Sequence, residues 1–345
     1  MGGDYGPEEL TRGAMLAAKQ TGLQVILVGN QQVLQTHVDR LRSGASEETQ
    51  LQIVHAAEVV EMGESPVEAI RRKKDASVMV AFDLVRQGQA DAAVSAGNSG
   101  ATMAAAVRKL GRMEHVSRPG IASIFPTLKK PVVMMDVGAN VDCRPQHLFQ
   151  FAIMASAFSH IFDIERPRIG ILSIGEEVGK GNTLVKETYS RLAASSLNFV
   201  GNVEGRDVFQ GNVDVIVCDG FVGNICLKLS EGLAEAAMRM IKDEIMKSTA
   251  AKIGYLLARP AFRAFAKRVD YAEYGGAPLL GIDGNVIIGH GKSTPLAISN
   301  AISLAYIMAS AQIDSKIAAY MKLKGNEIEN EDIRDGIKPS RKDLN

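Results

Sequence analysis

Lys180, His290 and Lys292 are cations set in glycine-rich turns, and Asn98, Asn140, Asn182 and Asn224 stand at the tips of turns of the same kind. The segments are Val94-Ser-Ala-Gly-Asn-Ser-Gly-Ala-Thr102, Asp136-Val-Gly-Ala-Asn-Val-Asp142, Ile174-Gly-Glu-Glu-Val-Gly-Lys-Gly-Asn182, Cys218-Asp-Gly-Phe-Val-Gly-Asn224 and Ile288-Gly-His-Gly-Lys-Ser293. Glycine lets backbone N–H groups turn toward an anion, and the N-terminus of a following helix adds partial positive charge. One such turn is a weak signal. Five of them predict loops that converge on one polar, phosphate-like ligand at the strand ends of an α/β fold. On this reading Gly97, Asn98, Ser99, Gly100, Gly138, Asn140, Asp142, Gly179, Gly181, Asn182, Gly223 and Lys292 form the anion-binding set. Asn and Asp in such turns also serve simply as helix caps, so it is the ensemble, not any one residue, that carries the reading.

The elements that must position these turns alternate. Short β-branched runs at 24–28, 52–56, 92–96, 121–125, 132–136, 168–174, 198–203, 213–219 and 285–288 lack polar alternation, as strands covered on both faces do. Helical spacing fills 66–87, 99–110, 145–162, 183–194, 222–246 and 295–311, and proline opens three of these, where its missing N–H costs nothing. The pattern predicts a three-layer α/β/α sandwich with a mostly parallel sheet. No repeat or Pro/Ser linker divides it, so residues 1–324 read as one domain, followed by a charged and flexible tail over 325–345.

Composition excludes several classes. Lys plus Arg equals Asp plus Glu at 39 each, which gives no overall basic field for nucleic acid. Three cysteines, Cys143, Cys218 and Cys226, have no paired spacing, so a disulfide framework or zinc ribbon is not expected and a reducing, cytoplasmic setting is. No apolar run is long enough to span a bilayer. Gly289-His-Gly-Lys-Ser293 ends like a P-loop, but that loop needs glycine where Val286 stands. No dinucleotide fingerprint and no metal-ligand spacing is present, so neither cofactor nor metal is expected.

Met1-Gly-Gly-Asp-Tyr-Gly-Pro7, Ser95-Ala-Gly-Asn-Ser-Gly-Ala101, Asp136-Val-Gly-Ala-Asn-Val-Asp-Cys143, Ile174-Gly-Glu-Glu-Val-Gly-Lys-Gly181 and Val217-Cys-Asp-Gly-Phe-Val-Gly-Asn224 together resemble the signature segments of the bacterial acyl-carrier-protein:phosphate acyltransferases, the PlsX family. The likeness runs from Met1 to about Ala311. It implies transfer of a long-chain fatty acyl group from acyl carrier protein to inorganic phosphate for phospholipid synthesis. It also implies a fold like the phosphotransacetylases and isocitrate dehydrogenases, a homodimer, and a short strand ahead of the Met-Gly-Gly-Asp segment with which this sequence opens.

That chemistry suits the residues. A thioester is already activated and phosphate needs no strong base, so position and charge do most of the work. Lys180, Asn224, His290 and Asp219 are the expected catalytic residues: a phosphate cation, donors for the thioester oxyanion, and a carboxylate that fixes loop N–H groups. Asp136 shares that last role, while Glu176 and Glu177 rank second as general bases against an exposed loop role. Cys143 as an acyl-enzyme nucleophile is disfavoured against a small buried thiol. A phosphotransacetylase acting on acyl-CoA and a non-catalytic membrane scaffold are the alternatives.

Residues 245–269 differ from the rest. Six basic residues, among them Arg259 and Arg263, occur there without an acidic one, and Pro260 is expected to break the stretch into a helical hairpin. Ile253, Leu256 and Leu257 form one apolar stripe, and Phe262 and Phe265 belong to a second. Such a pair fits an anionic membrane surface or a dimer interface. Arg71-Arg-Lys-Lys74 is a second basic cluster, suited to a solvated face or to acidic acyl carrier protein.

Overall fold

The computed structural model describes residues 2–42, 50–269 and 271–334. Its eight-stranded sheet has the order β3-β10-β9-β4-β5-β8-β6-β7, with β3 Ala92–Ser95, β4 Gly120–Phe125, β5 Val132–Met135, β6 Ile169–Leu172, β7 Phe199–Val203, β8 Val215–Val217, β9 Ala277–Leu280 and β10 Asn285–Ile288. Two further strands, β1 Val25–Gly29 and β2 Leu51–His55, pair parallel in a sheet of their own. The helices are α1 Gly6–Thr21, α2 Gln31–Arg42, α3 Pro66–Arg72, α4 Ser77–Arg86, α5 Ser99–Lys109, α6 Pro145–Phe158, α7 Thr183–Ala194, α8 Gly220–Met246, α9 Thr249–Val269, α10 Pro295–Ser310 and α11 Ile313–Arg334.

The core lies where β4, β5, β6 and β8 meet α6. Every residue of α6 from His147 to Phe158 is buried, so this helix is apolar on all sides because it has no solvent face. Phe151, Phe158, Met134 and Met135 are its largest enclosed side chains. The β-branched runs of β5 and β8 are buried at every position, which is why they show no alternation.

All nine expected strands form. A tenth, β9, was not expected: Ala-Pro-Leu-Leu is four residues long and its proline argues against a central strand. It has a consequence for direction. β9 is antiparallel to both β10 and β4, and β4 is antiparallel to β5, so β10 and β3 run opposite to β5, β8, β6 and β7.

Other boundaries also move. The expected helix over 66–87 is two helices, interrupted between Arg72 and Ser77, and α1, α2 and α11 were not anticipated. Pro260 does not break its segment. α9 runs through it, and the hairpin turn falls at Lys247 and Ser248, so the partner of α9 is the end of α8. The carbonyl that proline leaves without a donor is tolerated because α9 buries no residue and water reaches it. The tail expected from 325 begins inside α11, and residues 335–345 lie outside the described residues.

β1 and β3 face each other without pairing. A cavity of about 600 Å³ separates them, edged by residues 23–28 and 89–97 and covered by Leu10 and Ala14 of α1, Val78 and Phe82 of α4, and Ile298 and Ile302 of α10. Gly3 lies at one end of this slot, where an added Cβ would be 3.1 Å from the Ala96 carbonyl oxygen.

Candidate active site

Three of the five turns share one sheet edge. β5, β8 and β6 are parallel neighbours, so the turns that leave them, 136–143, 218–224 and 174–182, emerge side by side. The first is built on Asp136, which is fully buried. Its Oδ1 accepts from the backbone N–H groups of Ile121 (3.0 Å), Gly138 (3.2 Å) and Ala139 (3.1 Å), and its Oδ2 from the Asn140 backbone (2.7 Å) and side-chain amide (3.0 Å). Burial pushes this carboxyl up from the usual range, and the hydrogen bonds from Ala139, Asn140 and Ile121 oppose that shift. The role foreseen for an aspartate in fixing loop N–H groups thus falls on Asp136. Asn140 spends its amide on this carboxylate and on the Pro119 carbonyl (2.8 Å).

Helix α8 is clipped onto this loop. Gly220 N–H donates to the Asn140 carbonyl at 2.8 Å, and Asp219 caps the helix by accepting from Val222 N–H at 2.9 Å. Asn224 then sits over Gly138, whose added Cβ would be 3.7 Å from the Asn224 amide carbon. Among the described residues no protein group hydrogen-bonds to the Asn224 side chain, so its amide is available to a ligand. The Asp142 carbonyl holds Arg118 at 2.8 Å, and the Asp142 side chain is exposed.

The 174–182 turn brings Lys180 to the same edge. Gly179 and Gly181 take φ of +90° and +100°, a conformation that places Lys180 between two reversals of the chain. Lys180 is exposed and has no carboxylate partner among the described residues. Glu176 pairs with Arg206 at 3.4 Å, which gives it a surface role. Asn182 caps α7 through Val185 N–H at 2.9 Å.

The other two turns form a second group. Gly289 N–H donates to the Ser95 carbonyl at 2.7 Å, and Asp4 N–H to the Gly291 carbonyl at 2.8 Å, so 2–5, 95–100 and 288–293 form one cluster at the ends of β3 and β10. Because those strands run opposite to β5, the five turns do not leave one common edge as the sequence suggested. Asn98 is fully engaged: it caps α5 through Ala101 N–H (3.0 Å) and donates to the carbonyls of Met62 (3.0 Å) and Glu64 (3.2 Å). Ser99 and Gly100 open α5, and an added Cβ on Gly100 would be 2.8 Å from Pro66. His290 Nδ1 accepts from Lys292 N–H at 3.1 Å, and the side chains of both residues are exposed.

Helix α8 connects the two groups. Asn224 at its start touches the Gly138 turn. Two turns on, Glu231 carries a carboxyl pushed up by burial, an effect that the charge of His290 partly offsets. Glu231 was not singled out in the sequence because nothing but its helical spacing from Asn224 sets it apart.

The thiols are held neutral. Burial pushes Cys143 from its ordinary 9.0 up to about 11, with the Asp136 charge adding to it, and burial raises Cys218 and Cys226 as well. Among the described residues no group of His, Cys, Asp and Glu could hold a metal ion.

Residues 1–316 match the family described as "Fatty acid synthesis protein". The "Phosphate acyltransferase" of Nitratidesulfovibrio vulgaris (strain DP4) is 52% identical over 319 residues, 92% of each chain. That of Syntrophotalea carbinolica is 49% identical over 337 residues, 97% of this chain and 96% of the other. A phosphotransacetylase from Streptococcus pyogenes shares the fold with a TM-score of 0.56 and 18% identity, over 92% of both chains. The three-layer reading is met by that architecture, and the signature segments by the identity. The chain belongs to the fatty acid synthesis protein family, together with proteins named phosphate acyltransferase, and it is an acyltransferase.

Proposed function

We propose that this enzyme transfers a long-chain fatty acyl group from the thioester of acyl carrier protein to inorganic phosphate, giving an acyl phosphate for phospholipid synthesis. The observation that carries this reading is the pairing, on one sheet edge, of an unpartnered ammonium at Lys180 with an unpartnered amide at Asn224. The Lys180 ammonium binds phosphate; Asn224, over the Gly138 turn, donates to the thioester oxygen as it becomes an oxyanion. An oxygen of hydrogen phosphate attacks the carbonyl carbon, the C–O bond forms, the C–S bond breaks, and the carrier thiolate leaves as a thiol by taking the proton that the phosphate gives up. A direct attack needs no acyl-enzyme, and the neutral Cys143 thiol is a poor nucleophile. His290 and Lys292 act as further donors from the second cluster, and no cofactor is required.

The setting is cytoplasmic and peripheral to an anionic membrane. On α9, Ile253, Leu256, Leu257 and Phe265 are exposed beside Arg259 and Arg263, and Leu257 is 80% exposed. Phe262 is half-buried, with its ring 5.1 Å from that of Tyr255. Among the described residues no single helix is long and apolar enough to cross a membrane. A homodimer is the expected assembly.

The test is to incubate the purified protein with palmitoyl-acyl carrier protein and phosphate and to detect acyl phosphate by mass spectrometry. The expected result is a product that depends on phosphate and appears in step with free carrier thiol. Thioester cleavage without acyl phosphate would overturn the reading.

A further inference from the structure

The acyl chain needs an apolar surface that starts at the reacting carbon. One such surface begins inside the candidate site. Val141 follows Asn140, whose carbonyl holds the first N–H of α8, and Phe221 follows Gly220, which donates it. Both side chains are exposed, Val141 at 59% and Phe221 at 57%. From Phe221 the same ridge of α8 continues through Ile225, Leu229 and Leu233, every fourth residue, and all are exposed, with Leu229 at 69% and Leu233 at 67%. An isolated exposed leucine needs no explanation, but a continuous ridge that leaves a reaction centre does. The adjoining face of α8 is polar, with Asn224, Lys228 and Glu231 at helical spacing, so the chain is confined to one side.

We propose that the fatty acyl chain lies along this ridge, its carbonyl end at Phe221, one turn from the Asn224 amide, and its methyl end at Leu233, so that Leu229 and Leu233 set the preferred chain length. The inference rests on the acyl-transfer reading above and adds the place of the chain. Length agrees with it: twelve residues of helix span about 18 Å, roughly the extent of a fourteen-carbon chain laid straight. Each methylene removed from water there strengthens binding roughly fourfold, so a charge placed along the ridge penalises only chains long enough to reach it. Selectivity therefore grows by position rather than all at once.

The experiment measures kcat/KM for acyl-carrier-protein donors of eight, twelve and sixteen carbons in the full chain, with Leu229→Glu and Leu233→Glu as variants. The expected result is a fall of at least tenfold in the sixteen-to-eight-carbon ratio for both variants, with the twelve-to-eight-carbon ratio falling further for Leu229→Glu than for Leu233→Glu. A uniform loss over all lengths, with a change of molar mass by light scattering, would overturn the proposal and make the ridge a contact between two copies of the chain. Unchanged ratios would overturn it too. A palmitoyl-pantetheine carrying a terminal diazirine gives an answer that does not depend on turnover: labelling of the peptide containing Leu233 supports the track, and labelling elsewhere refutes it. If wild-type protein makes no acyl phosphate from any donor yet is labelled at Leu233, the acyl-transfer reading fails and the acyl site stands.

Discussion

The backbone oxygen of Asp136 occupies the space that a side chain on Gly223 would need: a Cβ added to that glycine would lie 1.9 Å from it. Gly220 is under the same constraint, 2.7 Å from both the Asn140 carbonyl and the Asp136 carboxylate. Helix α8 can therefore approach the 136–143 turn only through glycine, and this contact holds Asn224 above Gly138.

Gly223→Ala should accordingly displace α8 from the turn. Overpacking against backbone costs about 1–3 kcal/mol or more, so thermal denaturation should show a lower Tm, and acyl transfer should fall further than stability does. A variant with unchanged Tm and rate would show that α8 moves freely on this loop.

Lys180→Ala should raise the phosphate concentration needed for half-saturation by tenfold or more while leaving Tm within about a degree, since the side chain is exposed and unpaired. Asn224→Ala should instead lower kcat, by about a hundredfold, because one oxyanion donor is worth about 3 kcal/mol. Phosphate and acyl-donor saturation curves separate the two effects.

Cys143 should be unreactive. With its thiol pushed up to about 11 against an ordinary 9.0, alkylation by iodoacetamide at pH 8 should be about a hundredfold slower in the native protein than in denaturant. The folded thiol ionises later than the unfolded one, so this group's contribution to stability is complete below pH 9 and is lost as pH rises toward 11. Cys143→Ala should retain activity, and an acyl group trapped on Cys143 during turnover would contradict direct attack.

Replacing Leu256 and Leu257 of α9 with Glu should abolish sedimentation with anionic vesicles while leaving turnover in solution intact, because both are exposed and neither belongs to the turns. Vesicle binding should fall with salt in the unmodified protein. Persisting binding together with a split dimer would give α9 to the subunit interface.

The turns were legible in the sequence because glycine with Asn, Asp or Lys is a local signal. Their distribution was not. The reversal of direction at β9 and β4 decides which turns share an edge, and β9 carries a proline that hides it. Asn98 and Asn182 carry the same residue type as Asn224, and Asp219 was grouped with it, yet the side chains of these three cap α5, α7 and α8, a difference set by the first helical N–H groups and invisible in composition. The five-donor shell of Asp136 draws on Ile121, fifteen residues earlier, and pairings at such range leave no local mark. Pro260 misled because proline weakens a helix without always ending it, and on α9, which buries no residue, the carbonyl left without a donor is open to water.

The slot between β1 and β3 bears on how much stability the fold holds in reserve. The slot is open at one side and its lining mixes Gln24, Gln89 and Asp91 with apolar residues, so its cost is that of two strand edges left without a partner. The two-stranded sheet of β1 and β2 is too small to stand alone and leans on the helices around that space. A separate peptide of five β-branched residues should enter the slot, pair with both bare edges and raise Tm as its concentration rises. The same peptide with a central proline, which lacks the N–H a ladder requires, should have little effect.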